Sequence, residues 1–564
     1  MFQSKTYEHS FERPTGIERL QHAVDWLLGP EPISERRPGH LWPRWIFLRA
    51  LGLVYFSAFY SLLFQVKGLI GTNGLLPAKD YLQAVTSAVS GVLRFWYAPT
   101  LLWVDPSNRM LMAICWTGLI ASVILIFNGW PRGMLLVCFV CYLSFVAAAQ
   151  DFSGYQSDGM LLEAGFISLF FAPPGFWPGL GRSNPPSRAS MFLLQWEWFR
   201  IYFESGVAKI RSGDPTWRNF TAMDNYYQNG PLPTWIGWYV QHFPHWFHAG
   251  AVALTLGIEL VLVWMLFLPR RFRIICFCIV TPFELVIILT ANYTFLNYLV
   301  LSLGFLLLDD RFVEWILPQK VRDFFKGSAS DGIQSKTVVG SVEKGVSWRW
   351  IWRERLHPLR MAIAGAFLGV VFYATTAQLI WMFLPTLPLP MSPVSATEPF
   401  RVANRYGLFA VMTPERLEIE FQGSSDGKTW IPYPFRYKPQ DVKKAPGIYA
   451  PYQPRFDWNL WFASLGGWRE NRFVLWTEER LLQNDSDVLH LFTGDPFAGG
   501  PQPTAVRAVI YQYWFTDMKT KRATGLWWRR ELLGEYAPPL EREADGSIQM
   551  LEISTMPSQD NGTQ

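Results

Sequence analysis

The sequence predicts a polytopic α-helical membrane bundle of about nine spans, followed by a soluble, strand-rich α+β domain. Three observations predict it. Half of the 564 residues are apolar, 16% are aromatic and only 17% are charged, and the apolar residues gather into runs of roughly 18 or more, the length that crosses a bilayer. That pattern continues to about residue 384 and ends in a Pro-rich stretch, MFLPTLPLPMSPVSATEP (382–399). Beyond it polar and apolar residues alternate, as in RLEIEFQ (416–422), which is the period of a half-buried strand.

Residues 1–44 form a polar N-terminal segment in which 17–28, IERLQHAVDWLL, spaces its apolar residues as a helix lying on the membrane face does. Because the N-terminus is charged, the first run, near Trp45, is an anchor rather than a cleaved signal. Spans are predicted near 45–66, 110–127, 133–150, 155–172, 190–211, 247–268, 271–290, 293–308 and 361–384. The Pro-bounded stretch 75–104 is amphipathic and reads as a surface element. With the N-terminus in the cytoplasm, the cytoplasmic loops receive Arg132, Arg182, Arg188, the run PRRFR (269–273) and the Lys/Arg-rich segment 311–360. An odd number of spans then puts the chain after about 385 in the periplasm, lumen or exterior.

The predicted division is therefore a transmembrane domain at 45–384, a linker at 385–399, an outward α+β domain at 400–545 and a polar, disordered tail at 546–564. In the outward domain Asp426 and Gly427 mark a hairpin turn. FDWNLWFASL and NRFVLWTEERLL read as helices, AVRAVIYQYWF as a strand, and the whole as a sandwich with helices packed on it. Its charges nearly cancel, with 19 Lys and Arg against 21 Asp and Glu from 391 to 564.

A net charge of +5 with no basic surface run excludes nucleic acid as a partner. The five cysteines, Cys115, Cys138, Cys141, Cys276 and Cys278, fall in apolar runs. CFVC (138–141) has redox spacing, but a thiolate there would be desolvated. His242, His245 and His248 are spaced irregularly across Pro244 and read as interfacial anchors rather than metal ligands. No serine elbow or phosphate loop is present, and neither metal nor cofactor is expected. NYT (292–294) is a glycosylation sequon by pattern, at a span boundary.

The charges inside spans carry the functional question. Glu197, Arg200, Glu204 and Arg211 share one helical face, and each charge at mid-bilayer costs about 2.5–3.5 kcal/mol, so that face must meet protein or water. Lys209 points about 120° away, within a turn of the outer boundary, where a lysine snorkels. Glu163, Glu259 and Glu284 each require a partner from another helix, or protonation. A structural reading assigns Glu197, Arg200, Glu163 and Glu284 to a polar clamp. A catalytic reading makes Lys209 a base, with Glu204, His242 or Glu259 beside it. A binding reading places a client face at Tyr406, Asp457, Trp458, Trp461, Trp527, Trp528 and Arg529.

The run LLQWEWFRIYFESGVAKIRSGDPTWRNFTAMDNYYQNGPLP resembles the lipase maturation factor family. So do GIELVL, LTANYTFLNYL, RVANRYGLF, PYQPRFDWNLWFASL and WWRRELLGEY, so that the resemblance extends over nearly the whole chain. It implies a multi-pass protein that helps secreted lipases reach their active form, with its soluble domain in the lumen of the endoplasmic reticulum, or in the periplasm of a bacterium. The implied partners are a secreted client, a lipase in the family, and membrane lipids. In the membrane part GLLPA, SDGMLLEAGFISLFF and ESGVAKIRSGDPTW are similar to the membrane domain of vitamin K-dependent γ-glutamyl carboxylase. There a lysine after this turn acts as the base, and Lys209 holds its place; the soluble domain departs from the carboxylase pattern.

Overall fold

The computed structural model describes residues 23–29, 39–320, 322 and 357–553. The start of the surface helix, most of the Lys/Arg-rich segment and the chain end from 554 lie outside the described residues. Nine helices occupy the nine predicted segments: α1 Leu41–Leu63, α2 Asn108–Ile126, α3 Pro131–Val146, α4 Gln156–Phe171, α5 Arg188–Arg211, α6 His245–Leu260, α7 Arg270–Thr290, α8 Leu296–Gly304 and α9 His357–Phe383. Five are long and apolar enough to cross a membrane: α1, α2, α6 with its 3₁₀ extension to Phe267, α7, and Pro358–Phe383 of α9. Length and composition thus show five of the nine expected spans. Helices α3 and α4 have 16 residues each, about 24 Å of helix against a hydrocarbon core of about 30 Å. Helix α5 is long enough but carries the charges.

Successive helices alternate in direction. The end of α1, the start of α2, the start of α4 and the end of α5 meet the C-terminal domain through Ser57 to Pro451, Asn108 to Asp487, Tyr155 to Asn459 and Lys209 to Leu408. The opposite ends carry Arg44, Arg132, Arg188 and Arg270. There Arg44 donates to the Leu180 carbonyl and Arg132 to the Ala172 carbonyl. Leu101–Trp103, Leu93–Tyr97 and Ala78–Ala88 form short helices with exposed Leu93, Trp96 and Tyr97, as a surface element requires. Asn292 is buried, and its amide donates to the carbonyls of Leu232, Pro233 and Gly447, so the sequon asparagine is engaged.

The C-terminal domain is one antiparallel sheet rather than a sandwich. Its strands are β1 Arg416–Ser424, β2 Ile431–Pro432, β3 Ala505–Phe515, β4 Trp528–Glu535, β5 Leu540–Arg542 and β6 Ile548–Met550. They run in the order β2-β1-β3-β5-β6, with β4 also paired to β3. The long β1–β3 ladder aligns Arg416 with Tyr513 and Ser424 with Ala505. Asp426 closes the β1–β2 turn by accepting from the N–H groups of Lys428 and Thr429. Helices α10 Arg455–Ser464 and α11 Phe473–Leu482 cover β1 and β3, where Phe421 stacks on Phe456. They take the place of a second sheet. Strand β6 lies in the expected tail, and its pairing with β5 orders that stretch to Met550.

Candidate functional site

A strap of chain from Asn404 to Met412 lies along α5. Glu163 accepts from Arg200, from the Tyr406 hydroxyl at 2.9 Å and from the Asn404 N–H at 2.9 Å. Arg200 in turn donates to the Asn404 carbonyl at 2.7 Å. One turn on, Glu204 accepts from the Tyr406 N–H at 2.7 Å and Ser205 from the Leu408 N–H at 3.2 Å, before Asp214 receives the Met412 N–H at 2.7 Å. Gly407 permits the approach, since a Cβ there would sit 3.3 Å from the Ala208 Cβ. The helix side chains thus satisfy backbone groups that no strand pairs.

A second knot joins α10 to the bundle. The Arg455 guanidinium forks onto both Asp158 oxygens at 2.8 Å, and also donates to the Phe152 carbonyl at 2.6 Å and to the Tyr142 hydroxyl at 2.9 Å. Tyr142 donates to Asp158 at 2.6 Å. All three side chains are buried. A bidentate pair with further hydrogen bonds around it is the geometry in which burial of charge is tolerated, although the Arg455 Nε–H has no acceptor among the described residues.

The opposite flank of α5 faces a cavity of about 550 Å³ between α5, α6, α7 and α8, lined by Tyr202, Lys209, Trp217, Leu254, Glu259 and Val286 among others. Lys209 donates to the two Glu259 oxygens at 2.8 and 2.9 Å and to the Leu408 carbonyl at 3.1 Å. An ammonium has three hydrogens, and all three have acceptors. Gly206 brings α5 and α6 together, because a Cβ there would meet Glu259 and Leu260 side-chain atoms at 2.9 Å. Deeper in, Glu284 accepts from Tyr202 and, at 2.7 Å, from Asn297. Helices α6 and α7 hardly approach each other along their lengths, and Leu254, Ile279 and Val286 on their walls are exposed.

Among the residues of the catalytic reading, Lys209 and Glu259 meet at the cavity. Glu204 instead serves the strap, and His242 lies outside the lining, held between the Trp238 and Thr516 carbonyls at 2.7 and 2.9 Å. Lys209 does not snorkel: it is 2% exposed, since Gly206 and Glu259 hold it inward. Glu163, Glu197, Arg200 and Glu204 are buried together beside the strap, whereas Arg211 is exposed and apart from them. The client face is corrected too. Tyr406, Asp457, Trp458, Trp461 and Trp528 are buried, because they form the seam with the bundle or the sheet core; Trp527 is half-buried and Arg529 exposed. Asp457 accepts from the Tyr437 and Lys438 N–H groups. Burial pushes its carboxyl up to about 6, with Lys438 opposing.

Trp217, Ser205 and Gly206 escaped the sequence reading as cavity and contact residues. The small residues of ESGVAK, three or four positions from Lys209, were the available signal. His245 pairs with Asp224 at 3.0 Å, and His248 is buried against Tyr227. Among the described residues no group of three His, Cys, Asp or Glu is arranged to hold a metal ion. Cys138 and Cys141 are buried and free.

Two buried polar knots and one lateral cavity define a class: a membrane protein whose bundle and C-terminal domain are built as a single unit. The model of the lipase maturation factor transmembrane domain matches residues 42–315, and that of the lipase maturation factor C-terminal domain matches residues 402–538. Similar relatives include lipase maturation factor 1 of Bos taurus, 32% identical over 90% of both chains. The factor of the same name from Homo sapiens is 31% identical over 93% of this chain and 95% of its own. Lipase maturation factor 2 of Gallus gallus is 31% identical over 88% and 81% respectively. No solved structure matches. The chain belongs to the lipase maturation factor family.

Proposed function

We propose that this protein is a membrane-anchored maturation factor that assists folding and assembly of secreted proteins, lipases among them, by binding rather than by turnover. The observation that carries the reading is the strap. Residues 404–412 tie the two family regions into one unit, so a client held by the sheet domain is held at a fixed height over the membrane from which it emerges. The alternating helices favour nine crossings and an outward C-terminal domain, lumenal or periplasmic, with the arginine-bearing ends inside. Differential affinity supplies the mechanism: a folding intermediate binds through apolar surface and leaves once its own folding buries that surface.

The accessible face for this contact is the outer side of β3 and β4. There Arg529 lies over the Trp514 ring at 4.3 Å, Leu533 is exposed and Trp527 adjoins. The test is the specific activity of a secreted lipase in cells lacking this protein, resupplied with wild type or with Leu533→Asp plus Arg529→Ala. Wild type restores activity and the double variant loses at least half of it, at unchanged level of the factor. Equal lipase activity with and without the factor refutes the reading.

A second reading rests on Lys209 lining the cavity: a base acting on a cavity-bound substrate. It requires Lys209→Arg to abolish client maturation or to remove a mass shift on a crosslinked client. A binding factor tolerates Lys209→Arg.

A further inference from the structure

We propose that the cavity between α6 and α7 is a binding site for a neutral, single-chain lipid with a hydroxyl or ester head, which enters sideways from the bilayer and sets its head oxygen beside Trp217 and Lys209. The inference rests on the cavity alone and stands whether or not the maturation reading does.

Four observations converge on this occupant. The volume, about 550 Å³, lies within the range of about 300–1,000 Å³ typical of small-molecule sites, and it suits one acyl chain with a small head better than a two-chain phospholipid. The walls are mostly apolar, and the exposed flanks Leu254, Ile279 and Val286 belong to helices long and apolar enough to cross a membrane. The gap between α6 and α7 therefore opens toward acyl chains rather than toward water. At the inner end Trp217 is 1% exposed, and its indole N–H has no acceptor among the described residues. A buried donor without an acceptor costs about 1–3 kcal/mol, which a ligand oxygen would offset.

Charge selects the head group. Lys209 already spends its hydrogens on Glu259 and Leu408, and the ring of Trp217 lies 5.2 Å from its Nζ. Glu284 has both oxygens engaged by Tyr202 and Asn297. An anionic head would have to displace Glu259 from Lys209, and a cationic one set beside Trp217 would meet the Lys209 ammonium, 5.2 Å from that ring. A neutral oxygen accepts from Trp217 without breaking either set.

Gly250 supplies a variant that fills the cavity while leaving the fold intact. It lines the cavity, and a Cβ at its position meets nothing within 4 Å. Full-length protein in phosphatidylcholine nanodiscs would be irradiated with a diazirine-bearing monoacylglycerol, and the labelled peptides read by mass spectrometry. Labelling is expected to concentrate on α6 and α7 and to be competed by monoolein at concentrations at least tenfold lower than by oleate. Gly250→Phe is expected to lower it at least tenfold at unchanged Tm, and Trp217→Phe severalfold. Equal labelling of α2, undiminished labelling in Gly250→Phe, or oleate competing as well as monoolein would each overturn the proposal.

Discussion

The two sides of α5 treat buried charge in opposite ways. Toward the strap, Arg200 bonds to Glu163 of the bundle, and Arg200 and Glu204 bond to backbone groups of the C-terminal domain. Toward α6 and α7, the Lys209–Glu259 pair leaves no Lys209 hydrogen without an acceptor but borders a cavity. Charged residues in a membrane helix therefore do not by themselves mark a working site. Glu163, Arg200 and Glu204 serve the contact with the strap, and what distinguishes Lys209 is room beside it for another molecule.

The sharpest test of how a buried charge holds the two domains together is to unpair the second knot, between α4 and α10. Arg455→Ala leaves Asp158 buried without its cation, and a broken buried pair costs about 3–5 kcal/mol. The expected result is a lower Tm and rapid proteolysis between 384 and 400 as the sheet domain detaches. Replacing both partners, Arg455→Met with Asp158→Leu, should recover much of the loss. If the single variant is as stable as the parent, the seam does not hold the domains together.

A smaller effect is expected on the cavity side. Gly206→Ala places a methyl group 2.9 Å from the Glu259 Cβ, and overpacking of this kind costs about 1–3 kcal/mol. It should separate α5 from α6 and so loosen Lys209 from Glu259. Thermal unfolding in detergent reads the loss, and an unshifted Tm would mean that the helices adjust freely.

The nine helices were legible because apolar runs bounded by Pro and Arg are a local signal, and the β1–β2 hairpin because Asp426-Gly427 is one too. The sheet was mistaken for a sandwich because nothing in α10 or α11 announces which face of the sheet they cover. The site was half legible. Composition identified Glu259 as needing a partner but let Lys209 snorkel, and their pairing across 50 residues depends on the approach at Gly206. The client face failed for a related reason: Tyr406 and Trp458 look like exposed aromatics until the bundle they pack against is present. Aromatic residues serve cores and interfaces equally well.

Asp457 extends the comparison to pH. Its folded pKa, about 6, lies above the ordinary aspartate value of about 3.9, so the fold holds the proton more tightly than the unfolded chain. The stability gained from protonation is fully present below about pH 4 and is lost as the pH rises through about 6. Asp457→Asn keeps an acceptor for the two N–H groups and carries no charge. It should flatten that stretch of the Tm-versus-pH curve, and an unchanged slope would reassign it to another group.

The smallest effect is expected at Asp426, which makes the clearest contrast with Asp158. Both carboxylates are fully engaged: Asp426 accepts from Ser424, Lys428 and from both the N–H and the hydroxyl of Thr429, at 2.7–3.0 Å. Those bonds hold its carboxyl well below the ordinary carboxylate range, so its contribution is present above about pH 4 and is lost as the pH falls. Asp426 stands in water, however, where the unfolded chain replaces each bond with one to solvent, while Asp158 is dry. Asp426→Ala should therefore leave Tm within about 2 °C of the parent, although it cuts four hydrogen bonds, as many as Arg455→Ala does. A drop as large as that of Arg455→Ala would mean that bond number, and not burial, sets the strength of the Arg455–Asp158 knot.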